Sequence, residues 1–346
     1  MKALVLTDYK QFSVTDMPEP TLGPTDVLIR VKACGICGSD VHGMDGSTGR
    51  RRPPIVMGHE ASGLVEKIGP AVEGYKIGDR VTFDSTIYNP DSFFSKKGMI
   101  NLCDDRRVLG VSCEEYRQHG AFAELVSVPQ HILYALPPGM TWEQAALVEP
   151  VSIAVHARNL TPIEAGDSAV VFGAGLIGVM TVQVLKNTAC KQIIAVDIDD
   201  GKLQIAREVG AHHTINSGGG ADVPAAIKKL TENRGADIAF ECVGIEPTVR
   251  AAIAGVRKGG TVTLVGNLAK DVSVPLQQVV TRQIRLQGSC ASAGEYPECL
   301  ELIASGKVNV DRFISATDSL EKGAEWFDRL YKREAGLMKV VLKPNG

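Results

Sequence analysis

Early in the chain stand three side chains with metal-ligand chemistry: Cys37, His59 and Glu60. They belong to the segments Cys34-Gly35-Ile36-Cys37-Gly38-Ser39-Asp40-Val41-His42 and Gly58-His59-Glu60. A thiolate, an imidazole and a carboxylate are donors that zinc accepts, and a catalytic zinc keeps one position open for water or substrate. A zinc-bound hydroxyl loses its proton more readily than a free one. The pattern therefore predicts a site that activates a hydroxyl group. Cys34 reads as a packed thiol rather than a ligand.

A second motif handles phosphate. Gly173-Ala174-Gly175-Leu176-Ile177-Gly178 follows the apolar run Ala169–Phe172 and opens the helical stretch Leu176–Lys186. A glycine-rich hexamer alone is weak evidence, but a strand before it and a helix after it give the context for a dinucleotide. Gly173 suits the tight turn, Gly175 lets backbone reach a pyrophosphate, and Gly178 lets the helix pack closely on the sheet. The phosphates then sit at the helix N-terminus. Asp197 ends the next apolar run, Gln192–Val196. A carboxylate there accepts hydrogen bonds from the ribose diol and repels a 2′-phosphate, so NAD is expected rather than NADP.

The elements that must position these groups fall into two rhythms. Before about residue 150, short β-branched runs (Ala3–Leu6, Asp26–Val31, Ala61–Ile68, Asp79–Thr82) are punctuated by Gly, Pro and Asp, as in a compact barrel-like domain. From about residue 168, strands (Ala169–Phe172, Gln192–Val196, Ile238–Cys242, Thr261–Val265) alternate with helices (Leu176–Lys186, Lys202–Val209, Val223–Thr231, Pro247–Val256). That alternation predicts a parallel sheet covered on both faces. Helices at Tyr296–Ala304 and Leu320–Lys332, then a strand at Met338–Leu342, follow. Gly218–Gly220 reads as a loop. Ser168–Leu185 carries no charge, yet its glycines and its glutamine argue for a strand, turn and helix rather than a membrane span.

With 40 acidic and 37 basic residues among 346, the net charge is −3. That balance excludes the footprint of a nucleic-acid binder. The hydrophobic content of 44% excludes wholesale disorder. No signal peptide is visible at the start, so a cytoplasmic protein is expected. Its eight cysteines are then metal ligands or buried thiols rather than disulfides.

The metal and glycine motifs together resemble the zinc-dependent medium-chain dehydrogenase/reductase family, over essentially the whole chain. Glu149-Pro150-Val151-Ser152-Ile153-Ala154-Val155-His156 is similar to a motif of the polyol (sorbitol-type) branch. The resemblance implies an α/β fold: a GroES-like barrel domain over 1–153 and 292–346, with a doubly wound Rossmann domain over 154–291 and the active cleft between them. It implies Cys37 and His59 as zinc ligands, with Glu60 and Glu149 both candidates for the remaining place; the alternative role of Glu149 is to hold the zinc-bound water. It places the Ser39 hydroxyl beside the zinc-bound alcohol and His42 at the outer end of a proton relay, where a pKa near neutrality is useful. It adds Lys202, Val243, Val265, Gly266, Asn267 and Ser289 to the cofactor contacts.

The family resemblance also shows departures. Many relatives hold a second, structural zinc with four cysteines; at the corresponding places this chain has Asn89, Ser92, Ser95 and Cys103. One thiol cannot close a tetrahedral site, so one zinc per chain is expected. Where sorbitol-type enzymes have a tyrosine after the relay histidine and an Arg-Tyr pair farther on, this chain has Gly43 and Cys290-Ala291. Arg50-Arg51-Arg52 reads as a solvated loop in preference to an anion site. The expected activity is NAD-dependent oxidation of a secondary hydroxyl of a polyol or sugar alcohol to a ketone. The alternatives are a polyol-phosphate (galactitol-phosphate type), vicinal-diol or threonine-type dehydrogenase, and more remotely a non-catalytic nucleotide-binding protein. The expected partner is a small-molecule substrate, with no nucleic acid and no membrane, and the assembly a homodimer or homotetramer.

Overall fold

The computed structural model describes residues 1–112 and 117–345; Cys113, counted above among the buried thiols, lies outside the described residues. The chain forms two compact units, Met1–Glu149 with Ser292–Gly346, and Pro150–Ala291. The first division falls a few residues before 153, near the N-terminus of the helix Val148–Asn159.

In the first unit the strand Asp26–Gly35 lies at the centre of a seven-stranded sheet. It pairs with Glu60–Ile68 on one side and with Leu125–Pro129 and Lys339–Lys343 on the other, all antiparallel. Arg80–Phe83, Leu133–Ala135 and Ile314–Ser319 complete the sheet. A smaller sheet joins Gln11–Asp16, Lys2–Asp8 and Ile55–Val56. β-branched and aromatic side chains from both sheets form one core, in which Phe327 stacks on Phe12 at 4.4 Å and meets Phe122 edge-on. The register sets Gly35 opposite Glu60 and Val341 opposite Gly35. The final strand, which ends the chain, thereby comes to the metal-ligand segment.

The second unit is a six-stranded, wholly parallel sheet. Its spatial order is His213–Asn216, Gln192–Asp197, Ser168–Phe172, Ala236–Glu241, Val256–Leu264, Arg285–Gly288. The first strand in sequence thus lies in the middle, and the order reverses beside it. In such sheets ligands bind outside the carboxyl ends of the strands at that reversal. The helix Leu176–Lys186 is buried from Gly178 to Leu185, so it is apolar all round rather than striped. That accounts for the charge-free run: among the described residues no helix is long and apolar enough to cross a membrane. Gly218–Gly220 is a turn in which Gly219 and Gly220 take the left-handed backbone, at φ 66° and 81°, in keeping with a loop.

Candidate active site

Cys37 caps a short helix, Gly38–Gly43, and its sulfur accepts from the Ser39 amide at 3.4 Å and the Ser39 hydroxyl at 3.3 Å. The tight turn brings Cys37 to His59 and Glu60. One ligand atom from each of these three lies within 4.8 Å of the others. Burial supports the grouping, since His59 is 7% and Glu60 1% exposed. Gly35 makes room for the Glu60 carboxylate, because a Cβ there would stand 2.3 Å from Oε2.

Two cations hold this site, of which the sequence reading passed over Lys339 and took Arg51 for part of a solvated loop. Lys339 donates to both Glu60 oxygens, at 2.8 and 2.6 Å, and to the Ile36 carbonyl at 2.8 Å. Arg51 pairs with Asp40 at 2.7 Å. It is 2% exposed, which corrects the solvated-loop expectation for that residue: its charge is answered inside the fold. Asp40 Oδ1 in turn faces His59 Nδ1 at 3.6 Å. Among the described residues, His59 Nδ1 and Asp40 Oδ2 are buried without a hydrogen-bond partner. The only sequence signals were a lysine opening an apolar strand and an acid between Cys37 and His42.

Glu149 lies close by, 7% exposed, and accepts from the Ser85 hydroxyl at 3.3 Å. It is not in the 4.8 Å cluster. Burial pushes its carboxyl up to about 8, with Glu60 and Cys37 adding to the rise and His59 opposing it. Burial likewise pushes the Cys37 thiol up to about 12, helped by Glu60. A divalent cation reverses both effects, because it favours the charged forms that burial disfavours. The S, N and O donor set, together with a thiol and a carboxyl that ionise readily only beside added positive charge, therefore fits zinc. His42 is exposed; partial burial, then Arg333, hold its imidazole below the ordinary value, so it is neutral at pH 7 and able to accept a proton.

In the second unit Gly173 sits at φ +90°. Gly178 tolerates no side chain, since a Cβ would fall 1.7 Å from the Gly173 carbonyl oxygen. A Cβ on Gly175 would meet nothing within 4 Å, and no side chain caps the Leu176–Lys186 helix that it begins, with Ile177 in the first turn. An open space at a helix start with free amides is a fit for pyrophosphate. The Asp197 carboxylate accepts from the amides of Ala174 (2.6 Å), Ile198 (2.8 Å) and Asp199 (3.1 Å). It is thus fixed at the glycine turn. Lys202 is exposed in the following helix.

The turns after the next strands are packed backbone to backbone. A Cβ on Gly266 would lie 2.2 Å from the Gly244 nitrogen. The fully buried Glu241 carboxylate ties the first of these turns, accepting from Val243, Gly244 and Thr248. Its carbonyl accepts from Val265 and Gly266, both at 2.8 Å. Asn267 follows, exposed. Ser289 donates its amide to the Leu264 carbonyl, and its hydroxyl is buried without a partner among the described residues. Glu241 is a further residue that the sequence reading passed over.

Comparison with known proteins finds two family domains along the chain. Residues 23–138 match the alcohol dehydrogenase GroES-like domain, and residues 177–305 match the zinc-binding dehydrogenase domain. The D-xylulose reductase of Saccharomyces cerevisiae is 34% identical over 99% of this chain and 97% of its own length. The chain belongs to the zinc-dependent medium-chain dehydrogenase/reductase family. The sorbitol dehydrogenase of Bacillus subtilis is 31% identical over 100% of this chain and 98% of its own, in keeping with the polyol branch. A zinc-binding dehydrogenase from Sinorhizobium meliloti, solved bound to NADP, superposes with a TM-score of 0.90 at 31% identity, covering 99% of each chain. This family member is therefore an oxidoreductase of alcohols that uses zinc and a nicotinamide cofactor.

In the lobe where many family members place four cysteines, hydrogen bonds join the four corresponding residues. The Asn89 amide donates to the Cys103 sulfur at 3.3 Å, and the Ser92 hydroxyl donates to Ser95 Oγ at 2.9 Å. Burial raises the Cys103 thiol, but hydrogen bonds from Ser92, from the backbone of Asn89 and Asp105 and from Ser95 outweigh it and hold the thiol below its ordinary value. Cys34, Cys103 and Cys299 are buried and Cys190 and Cys242 partly so. Cys290 is exposed, which corrects its reading as a buried thiol: it follows Arg285–Gly288, the edge strand of the parallel sheet.

Proposed function

We propose that the protein catalyses reversible oxidation of a secondary hydroxyl of a polyol or sugar alcohol to a ketone, with the hydride passing to NAD. The observation that carries this reading is the buried meeting of Cys37, His59 and Glu60 with the Ser39 hydroxyl beside the Cys37 sulfur. Cys37, His59 and Glu60 would hold one zinc. Lys339 occupies lone pairs of both Glu60 oxygens and leaves others to the metal. When bound, the zinc would supply a Lewis acid that lowers the pKa of the substrate hydroxyl. Glu149, beside these residues, would hold the water or the substrate hydroxyl. Ser39 accepts the hydroxyl proton and passes on its own, and His42, neutral at pH 7, delivers it to solvent. When bound, NAD would supply the acceptor for the hydride of the substrate C–H bond, balancing the proton lost.

Gly173, Gly175, Leu176, Ile177 and Gly178 would cradle the pyrophosphate, with Val243, Val265, Gly266, Asn267 and Ser289 toward the nicotinamide and ribose. Asp197 favours NAD, although a relative was solved with NADP; Lys202 would lie at the adenosine end. The four-residue lobe has one thiol, so we assign one zinc per chain. The edge strand Arg285–Gly288 has a free side, and Leu276 and Val280 nearby are 69% and 64% exposed. An open edge beside apolar side chains favours pairing with a second copy, in a homodimer or homotetramer. A cytoplasmic location accords with this chemistry.

The test is zinc-dependent NADH formation over a panel of polyols, polyol phosphates, vicinal diols and threonine, with NADPH formation in parallel. Turnover of a free polyol with NAD is expected. Activity confined to phosphates, diols or threonine would replace the substrate class, and no turnover across the panel would refute the reading.

A further inference from the structure

Arg51 is among the most deeply buried large side chains of the first unit, although it lies in a run of three arginines. Its Nε and Nη2 both donate to Asp40 Oδ1, at 3.2 and 2.7 Å, and Nη2 also donates to the Ser39 hydroxyl oxygen at 3.3 Å. Asp40 is fully buried and faces His59. One guanidinium thus touches the hydroxyl next to Cys37 and the carboxylate behind His59. The pair is neutral, so Arg51 offers no free charge to an anionic substrate.

Room for this arginine comes from Gly43. A Cβ at position 43 would stand 2.6 Å from Arg51 Cγ and 3.4 Å from Thr48 Oγ1. Gly43 closes the helix Gly38–Gly43 and is not among the glycines with positive φ. Its constraint is therefore space rather than backbone conformation. A larger residue there and a buried Arg51 exclude one another.

We infer that Arg51, admitted by Gly43, is a positioning residue for proton transfer: its fork fixes the Ser39 hydroxyl oxygen and the Asp40 carboxylate together. A guanidinium only donates. Nη2 fills one lone pair of Ser39 Oγ, leaving the other to accept the substrate's hydroxyl proton, while the serine's own proton, which lies on the Cys37 sulfur in this structure, turns away from it when it is passed on. Ser39 gains one proton and loses one, and Arg51 exchanges none. Lysine cannot reproduce this, because a point ammonium lacks the planar pair of donors. The inference rests on Ser39 acting as the relay hydroxyl, and the experiment separates the two.

The variants are Arg51→Met, Arg51→Lys, Ser39→Ala and the double variant Arg51→Met/Ser39→Ala, made in the full-length zinc-loaded enzyme. The readouts are kcat and KM for the panel alcohol with the highest kcat/KM, the solvent deuterium effect, zinc per chain, and the visible spectrum of the cobalt(II)-substituted protein. For Arg51→Met we expect kcat to fall about 10–100-fold, the range for residues that orient metal-site groups. KM should stay within about twofold, full zinc should be retained at saturating metal, and a larger solvent isotope effect should appear. The cobalt bands should shift as His59 loses the oriented Asp40. Arg51→Lys should recover thermal stability but not kcat. In the Ser39→Ala background, Arg51→Met should cost less than about twofold more.

Wild-type kcat in Ser39→Ala would refute the relay reading itself. A slow Ser39→Ala beside a wild-type-like Arg51→Met would overturn the Arg51 inference alone. So would full rescue by Arg51→Lys, or equal losses for Arg51→Met in both backgrounds, which would make the residue structural. If Arg51→Met fails to fold, Asp40→Asn/Arg51→Met leaves no lone buried charge and carries the same expectations for kcat and solvent isotope effect.

Discussion

Replacing Lys339 by methionine removes a cation that the fold holds fully inside. Lys339 and Glu60 are each 1% exposed and 2.6 Å apart at closest approach. Removal of one member of such a pair strands the other charge in a low-dielectric site and costs about 3–5 kcal/mol. The stem of methionine fills most of the vacated volume, so the loss is electrostatic rather than a cavity. For the roughly 200-residue first unit, at about 2–4 °C per kcal/mol, the metal-free protein should melt about 6–20 °C lower. The companion variants are Glu60→Gln and the double variant, followed by calorimetry on metal-free protein. Because the double variant has no charge to strand, it should be more stable than the sum of the single losses predicts, by at least about 2 kcal/mol. Zinc should raise the melting temperature of Lys339→Met by more than that of the wild type, since the metal supplies a positive charge beside Glu60. Single losses that add to within about 0.5 kcal/mol would show that the pair is not coupled. They would remove Lys339 from the account of how Glu60 is held.

Zinc affinity should depend on pH in two regimes. Binding takes the Cys37 thiolate, displacing a proton at any pH below about 12, and favours the Glu149 carboxylate, displacing a second below about 8. The logarithm of apparent affinity, measured by competition with a chelator, should rise with slope near two around pH 6–7 and near one above pH 9; slope one throughout would exclude Glu149. Asp197→Ala should raise kcat/KM for NADP relative to NAD by about tenfold or more, because the carboxylate that repels a 2′-phosphate is gone; an unchanged ratio in steady-state kinetics would place cofactor choice elsewhere. Metal analysis of the purified protein should give one zinc per chain, and Cys103→Ser should leave that figure unchanged while lowering the melting temperature by a few degrees. Two zincs per chain, or loss of zinc in Cys103→Ser, would mean that the lobe binds metal after all.

What was legible in the sequence was local. The donors Cys37, His59 and Glu60 lie within a short span, and the strand–glycine–helix segment around Gly173 carries its own context. Central strands such as Ser168–Phe172 read clearly because all five of their residues are buried. The edge strands His213–Asn216 and Arg285–Gly288 escaped notice because partial exposure leaves them polar. The helix Val148–Asn159 escaped because it is largely buried and has a proline in its first turn. The groups that tune the metal site were illegible for a different reason. Lys339 meets Glu60 across 279 positions, and only the pairing of the last strand with Asp26–Gly35 brings it there. These contacts nevertheless decide the chemistry. Glu60 and Asp40 have their charges answered by Lys339 and Arg51. Cys37 and Glu149 are the two groups that resist ionisation, at about 12 and about 8. A divalent cation placed among them adds two positive charges where two negative ones are otherwise disfavoured, so the fold selects for the metal through the ionisations it suppresses in its absence as well as through the ligands it presents.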